Sequence, residues 1–331
     1  MWHIGVDLHR KTVVIAAVTG AGEVFDPVTI PCKEEQTIVR TLKKLTPFRA
    51  VVEASATYRW FHDLVSRYGT VLLAHPLKLR AMIQRRSKTD KLDAMLLAQL
   101  LRIDQVPLAY IPSERYQYIR EVTRYRVRMG RDRSQLKVAV QSLLARNNRY
   151  APYRDTCGVR GRKWLSRQDF GLSDNYVRDD LIERLHFIGM QIDALDERIE
   201  KLEEDYPEVS SLLDMHGMGL YTALLVVGEL GDVERFRTAK QVGAYAGLTA
   251  RVNQSGGHCY HGHITKQGSS WLRWALVQVA MKVIRRDAKL GNFYNRVRKR
   301  SSSKIARVAV ARKLAEICWK RLRSWHRRNA G

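Results

Sequence analysis

Cysteine is scarce in this chain of 331 residues, and what there is of it is scattered. Cys32, Cys157, Cys259 and Cys318 stand far apart with no CxxC spacing, which excludes a disulfide framework and a zinc knuckle and leaves reduced thiols as the expectation. Long apolar runs are missing too: nothing approaches the roughly 18 residues that a membrane-spanning helix needs. The opening MWHIGVDLHR reads as a polar-flanked strand rather than a secretory signal, so the expected compartment is the cytoplasm. Acidic residues are under-represented, 33 against 58 Lys plus Arg, for a formal net charge of +25 and a pI near 10.2. Such an imbalance calls for a polyanionic partner, and nucleic acid is the first candidate.

The hydrophobic content of 45% suffices for two cores joined by a helical connector. The first hundred residues alternate short apolar runs with helical patterns. HIGVDL, TVVIAAV and VFDPVTI predict three strands in a meander with a turn at Gly20-Ala21-Gly22. An amphipathic stretch from Lys33 to Leu45, the strand FRAVVEAS, a helix from Tyr58 to Arg67 and the strand TVLLAHP follow. The predicted order is β-β-β-α-β-α-β-α, a mixed sheet flanked by helices, as in ribonuclease-H-like folds.

From Arg115 to Arg167 fifteen Lys or Arg face three acids. Arg124, Arg126, Arg128 and Arg131 lie in the densest part and are candidate phosphate contacts. Tyr116, Tyr118, Tyr125, Tyr150 and Tyr153 are interleaved with these cations and offer rings for unpaired bases, or core packing. Farther on, Leu181, Leu185, Ile188, Ile192, Leu195, Ile199 and Leu202 repeat every seven residues among Asp and Glu, which predicts a coiled-coil helix ended by Pro207. Its partner is another helix of the chain or a second copy, and the surrounding acids favour the second copy. Gly217 and Gly219, set between apolar helical stretches, suit the turn of a helix-hairpin-helix that approaches phosphate, and equally an ordinary helix turn. The stretch from Trp271 to Gly331 holds eighteen Lys or Arg and two acids, with apolar residues spaced as in basic amphipathic helices. The expected divisions are 1–155, a sheet domain with a basic extension; 156–207, linker and coiled coil; and 208–331, a mainly helical C-terminal domain.

Four acids are placed for a metal site. Asp7 is expected in the middle of the apolar first strand, where a carboxylate is costly unless partnered. Glu53 ends the fourth strand, and Asp90 and Asp93 share one face at the start of a helix. Carboxylates that converge repel unless a cation lies between them, and oxygen ligands select a hard ion such as Mg²⁺. Each acid alone reads equally as a helix cap or an ion-pair member.

IGVDLH, VVEASATY and KTDKLDA, followed by GLTARVNQSGG and GHITKQGSSWLRWAL, resemble the transposases of the bacterial insertion sequence 110 group, the DEDD-type recombinases, over nearly the whole chain. The resemblance implies a RuvC-like first domain, a coiled-coil connector and a C-terminal transposase domain. It implies that Asp7, Glu53, Asp90 and Asp93 bind Mg²⁺ and that Ser255 in NQSGG is a nucleophile activated by that cluster across a domain or subunit boundary. It also implies double-stranded donor and target DNA, selected by a structured noncoding guide RNA, and homodimers that pair into a tetramer. From the residues alone, Ser255 is a serine in a glycine-flanked turn with no base beside it in sequence. Ser269 and Ser270 compete with it but suit the N-cap of the WLRWAL helix. Where the family commonly shows a basic residue, this chain has His258, Cys259, Tyr260, His261, Gly262 and His263. Their spacing is too tight for an ordinary zinc finger, so the histidines are read as phosphate contacts or as packing near Ser255. Lys266 is a further phosphate contact. The rival readings are a hydrolytic RuvC-like nuclease or junction resolvase using the same acids with water, and a non-catalytic nucleic-acid packaging protein in which the acids only cap helices.

Overall fold

The computed structural model describes residues 1–55, 57–82, 89–255 and 258–329, with the side chains of 253–255, 258, 259 and 261 outside the described set. The chain divides into two compact units, Met1–Ile111 and Pro112–Gly331.

The first unit is built on a five-stranded sheet. β1 (Trp2–Leu8), β2 (Thr12–Thr19) and β3 (Val24–Pro31) form the meander, α1 (Glu35–Lys43) leads to β4 (Phe48–Glu53), α2 (Tyr58–Val65) to β5 (Thr70–Ala74), and α3 (Pro76–Met82) and α4 (Asp90–Arg102) follow. The strand order is β3-β2-β1-β4-β5. The β1–β2 and β2–β3 pairs are antiparallel, whereas β1–β4 and β4–β5 are parallel. The predicted order of elements is the order found.

Side chains alternate across each strand, so the sheet buries two different faces. Ile4, Val6, Val13, Ile15, Ala50 and Val52 pack with Ile38 and Leu42 of α1 and Phe61 and Val65 of α2. On the opposite face Val51 meets Leu97 and Leu101 of α4, and Val14 and Ala16 meet Ala94. A helix this close to the sheet needs a small residue beneath it. Gly5 of β1 supplies one: a Cβ there would fall 1.9 Å from the carbonyl oxygen of Ala94.

The second unit is mainly helical. α5 (Glu114–Arg146) runs for 33 residues, roughly 50 Å at 1.5 Å per residue. Beyond the short α6 (Val159–Leu165), α7 (Leu172–Lys201) returns antiparallel to it, with Arg146 bound to Asp174 at one end and Arg126 to Asp196 towards the other. The heptad seam is real as a helix face, but its partner is α5 of the same chain. Leu181, Leu185, Ile188 and Ile192 are buried against Met129, Leu136, Val140, Leu143 and Leu144. That corrects the expectation of a second copy on this seam: the apolar i, i+3 and i+4 positions of α5 were hidden by its density of arginine. For the same reason the expected boundary at 155 does not coincide with the compact units, because α5 folds with the helical unit through its apolar side.

A 3₁₀ turn (Pro207–Val209) stops the seam, and α8 (Ser210–Leu213), α9 (Leu220–Leu230) and α10 (Ala239–Tyr245) build a second core with α11 (Ser270–Val283), α12 (Ala288–Arg300) and α13 (Ser303–Asn329). Between α10 and α11 stands an antiparallel hairpin, β6 (Ala250–Ser255) and β7 (His258–Ile264). The sequence reading did not foresee it. Its signal was there, since a Gly-Gly pair between two short runs is a hairpin signal in sequence; residues 256 and 257 themselves lie outside the described residues. Among the described residues no helix is long and apolar enough to cross a membrane.

Candidate functional site

The carboxylates of the first unit are gathered by sheet register and helix placement together. Asp7 is the penultimate residue of β1, not its middle, and follows Gly5 on the face that α4 covers. Val6 lies opposite Val52 in the parallel β1–β4 ladder, so the next positions, Asp7 and Glu53, come at matching ends of adjacent strands on that same face. α4 begins there. Thr89 caps it, its hydroxyl accepting from the Leu92 amide at 3.3 Å, and Asp90 and Asp93 occupy its first turn, where the helix dipole favours negative charge.

The structure brings Asp7 and Asp90 together through a residue the sequence reading had not singled out. His9 Nε2 lies 3.1 Å from Asp7 Oδ2 and 3.3 Å from Asp90 Oδ2. Ligand atoms of these three residues lie within 4.8 Å of one another, whereas Glu53 and Asp93 stand outside that group. Burial raises the Asp7 carboxyl above its ordinary value; His9 opposes this, and the negative charges of Asp90 and Asp93 add to it. A half-buried carboxylate facing two others fits a divalent cation, which would relieve that repulsion. The signal that could have found His9 is its spacing, since two residues beyond Asp7 it stands just past the strand end at the same rim.

In the second unit the basic residues of α5 separate into two kinds. Arg124 makes a bidentate pair with Glu229 of α9, and Arg126 does the same with Asp196 of α7. Their charges are matched within the chain. Arg128 and Arg131 are exposed and have no carboxylate partner among the described residues. Their guanidinium carbons lie 5.9 and 4.7 Å from the Trp271 ring of α11, within range of a cation–π contact. Of the tyrosines, Tyr116 packs into the core and the Tyr118 hydroxyl accepts from Arg198 at 2.8 Å, while Tyr125, Tyr150 and Tyr153 are exposed.

Gly217 adopts φ +81° and Gly219 is the N-cap of α9. A Cβ on Gly217 would stand 2.6 Å from Lys282 Cβ. The turn therefore requires glycine at 217 for conformation and for space. Ser255 is the last residue of β6, paired in register with His258, and its side chain lies outside the described residues, as do those of His258, Cys259 and His261. His263 is exposed on β7. Lys266, at φ +54°, donates its amide to the Gly247 carbonyl at 3.2 Å. Ser269 is the N-cap of α11, accepting from the Leu272 amide, as its sequence context indicated. Its hydroxyl donates to Glu229 Oε2 at 2.7 Å.

Comparison with known proteins agrees along most of the chain. A DEDD-type transposase family model matches residues 4–148, the stretch holding all four acids. The model described as Transposase IS116/IS110/IS902 family matches residues 209–295, which include the glycine turn and the hairpin. A probable family 20 transposase of Pseudomonas aeruginosa is 26% identical over 84% of this chain and 84% of its own length. The transposase for insertion sequence element IS1111A of Coxiella burnetii is 24% identical over 96% and 88%. The pilin gene-inverting protein of Moraxella bovis is 27% identical over 81% and 78%. With two family models matching residues 4–148 and 209–295 and relatives aligned over most of the chain, the chain belongs to the IS110 family of transposases, enzymes of DNA transposition and recombination.

Proposed function

We propose that this transposase is a site-specific recombinase that cuts and rejoins double-stranded DNA through a phosphoserine intermediate, with a ribonuclease-H-like (RuvC-like) first domain. The observation that carries the reading is the convergence of Asp7 and Asp90 at the sheet rim, with Glu53 and Asp93 on the same face. Asp7, Glu53, Asp90 and Asp93 hold a divalent cation in this reading, Mg²⁺ being the ion that the four carboxylates by themselves select. Such an ion supplies charge neutralisation at the reacting phosphate.

Ser255 Oγ attacks phosphorus, the bond to one DNA oxygen breaks, and that oxygen leaves with a proton. A hydroxyl of the exchanging strand then attacks the serine phosphodiester and restores the serine. One phosphodiester is exchanged for another, so no external energy source is required. Arg128 and Arg131, and the turn of Gly217 and Gly219 with Lys266, contact phosphate. The inversion activity in the name of the Moraxella relative supports recombination rather than simple cutting. The resemblance in sequence further supports a structured noncoding guide RNA as the selector of donor and target, and dimers pairing into a tetramer. That assembly uses a surface other than the α7 seam, which α5 covers.

The test is a suicide DNA substrate incubated with wild type, Ser255→Ala and Asp7→Asn. Wild type gives a covalent protein–DNA adduct; Ser255→Ala gives none and Asp7→Asn at most a trace, both with nucleic-acid binding retained. Cleaved ends free of protein, with Ser255 dispensable, establish a hydrolytic nuclease instead. Full activity in Asp7→Asn removes the catalytic role of the acids altogether.

A further inference from the structure

The rim that holds Asp7 and Asp90 holds a nitrogen donor as well. His9 lies just beyond β1, its amide donating to the Thr12 carbonyl at 2.9 Å and its own carbonyl facing the Cys32 thiol at 3.6 Å. The backbone of this turn is therefore tied to β2 and to the end of β3, and the ring stands at a fixed rim. The imidazole Nε2 lies 3.1 Å from Asp7 Oδ2 and 3.3 Å from Asp90 Oδ2. Neighbouring ligand atoms about 2.1 Å from an octahedral ion are about 3 Å apart. Both separations match the edge of such a coordination sphere.

We propose that His9 is a nitrogen ligand of the divalent-ion site, so that the site has a mixed nitrogen and oxygen donor set and holds first-row transition ions more tightly than Mg²⁺. The inference rests on the reading of Asp7 and Asp90 as cation ligands. Imidazole suits borderline transition ions, whereas Mg²⁺ demands oxygen and keeps its waters. Two carboxylates of the DEDD set together with His9 therefore change which ion the rim prefers, and they do so without altering the acids themselves. If the imidazole instead only bridges the two carboxylates by hydrogen bonds, it competes with the ion, and removing it strengthens binding. The two roles predict opposite signs.

Mn²⁺ is the probe. The full chain is titrated with Mn²⁺ and bound ion is read from the loss of the free-ion electron paramagnetic resonance signal, with pulsed spectra recorded for nitrogen coupling and Mg²⁺ affinity taken from competition. Wild type shows imidazole nitrogen coupling that is absent in His9→Gln. His9→Gln weakens Mn²⁺ by about tenfold or more, changes Mg²⁺ less, and retains the circular dichroism spectrum of wild type. Bound Mn²⁺ without nitrogen coupling in wild type, coupling that persists in His9→Gln, or affinity that is unchanged or higher in His9→Gln overturns the proposal. Asp7→Asn and Asp90→Asn separate the two readings. If they abolish binding while His9→Gln does not weaken it, the acids stand as ligands and His9 falls. If neither of them weakens binding, the acid site itself falls.

Discussion

Arg124 and Glu229 form a bidentate ion pair, Nε to Oε1 at 2.6 Å and Nη2 to Oε2 at 3.0 Å, with the Glu229 side chain fully buried. The same carboxylate takes the hydroxyl of Ser269, the cap of α11, so one buried charge fastens α5, α9 and α11 at a single point.

Removing one member leaves that charge without its counterion, which costs about 3–5 kcal/mol. Arg124→Ala should accordingly lower the thermal midpoint by roughly 10 °C, measured by calorimetry, and Arg124→Met with Glu229→Leu should recover most of the loss because no charge then remains buried. A midpoint unmoved by Arg124→Ala would show that the pair adds nothing net.

Gly5 sets the distance between the sheet and α4. A methyl group there meets the Ala94 carbonyl at 1.9 Å and the Ala98 amide nitrogen at 2.4 Å, and neither backbone atom can give way without moving the helix. Gly5→Ala is expected to cost on the order of 3 kcal/mol and to carry Asp90 away from Asp7, weakening divalent-ion affinity in a protein still folded at low temperature. Ion binding at wild-type strength in a folded Gly5→Ala protein would break the link between α4 packing and the acid cluster.

Arginines five residues apart or fewer on α5 should behave differently. Arg128 and Arg131 are exposed without carboxylate partners among the described residues, so the double alanine variant should weaken DNA binding and reduce the salt slope by about 1.8. Arg126, paired with Asp196, should change stability and leave the slope alone. The measurement is the dissociation constant across a salt series for each variant; equal slopes for wild type and Arg128→Ala with Arg131→Ala would remove this face from the interface.

Cys318 is fully buried, and burial pushes its thiol up to about 12. Thiolate is the reactive form, so at pH 8 almost none exists and access is closed besides. Iodoacetamide treatment of the native protein should leave the Cys318 peptide unlabelled while denatured protein labels fully, as read by peptide mass spectrometry. Rapid native labelling would mean that α13 opens from the core.

The sheet was legible in the sequence because a strand repeats every two residues and its apolar runs were bounded by glycine and proline. HIGVDL, TVVIAAV and FRAVVE fit no other element, and Asp7 and Glu53 stood out because they interrupt or end such a run, Asp90 and Asp93 because they share one face at the start of a helix. α5 was only half legible. Its charge was plain, but the apolar residues that bury the α7 seam, Met129, Leu136, Val140, Leu143 and Leu144, are interleaved with cations that dominated the pattern. Which arginines are matched within the chain could not be read at all, because Arg124 and Glu229 are more than a hundred positions apart.

Sequence by itself determined the strand and helix order, the polyanion-seeking charge, and the four carboxylates with the glycine-flanked serine, since these depend on local periodicity and residue chemistry. Only the tertiary structure decided that Asp7 and Asp90 share one rim with His9 between them, that the heptad seam is covered by α5, and that Arg124 and Arg126 answer to Glu229 and Asp196. The reason is physical: strand register and helix packing fix distances between residues far apart in the chain, and distance decides whether a charge is a ligand, a counterion or a free contact.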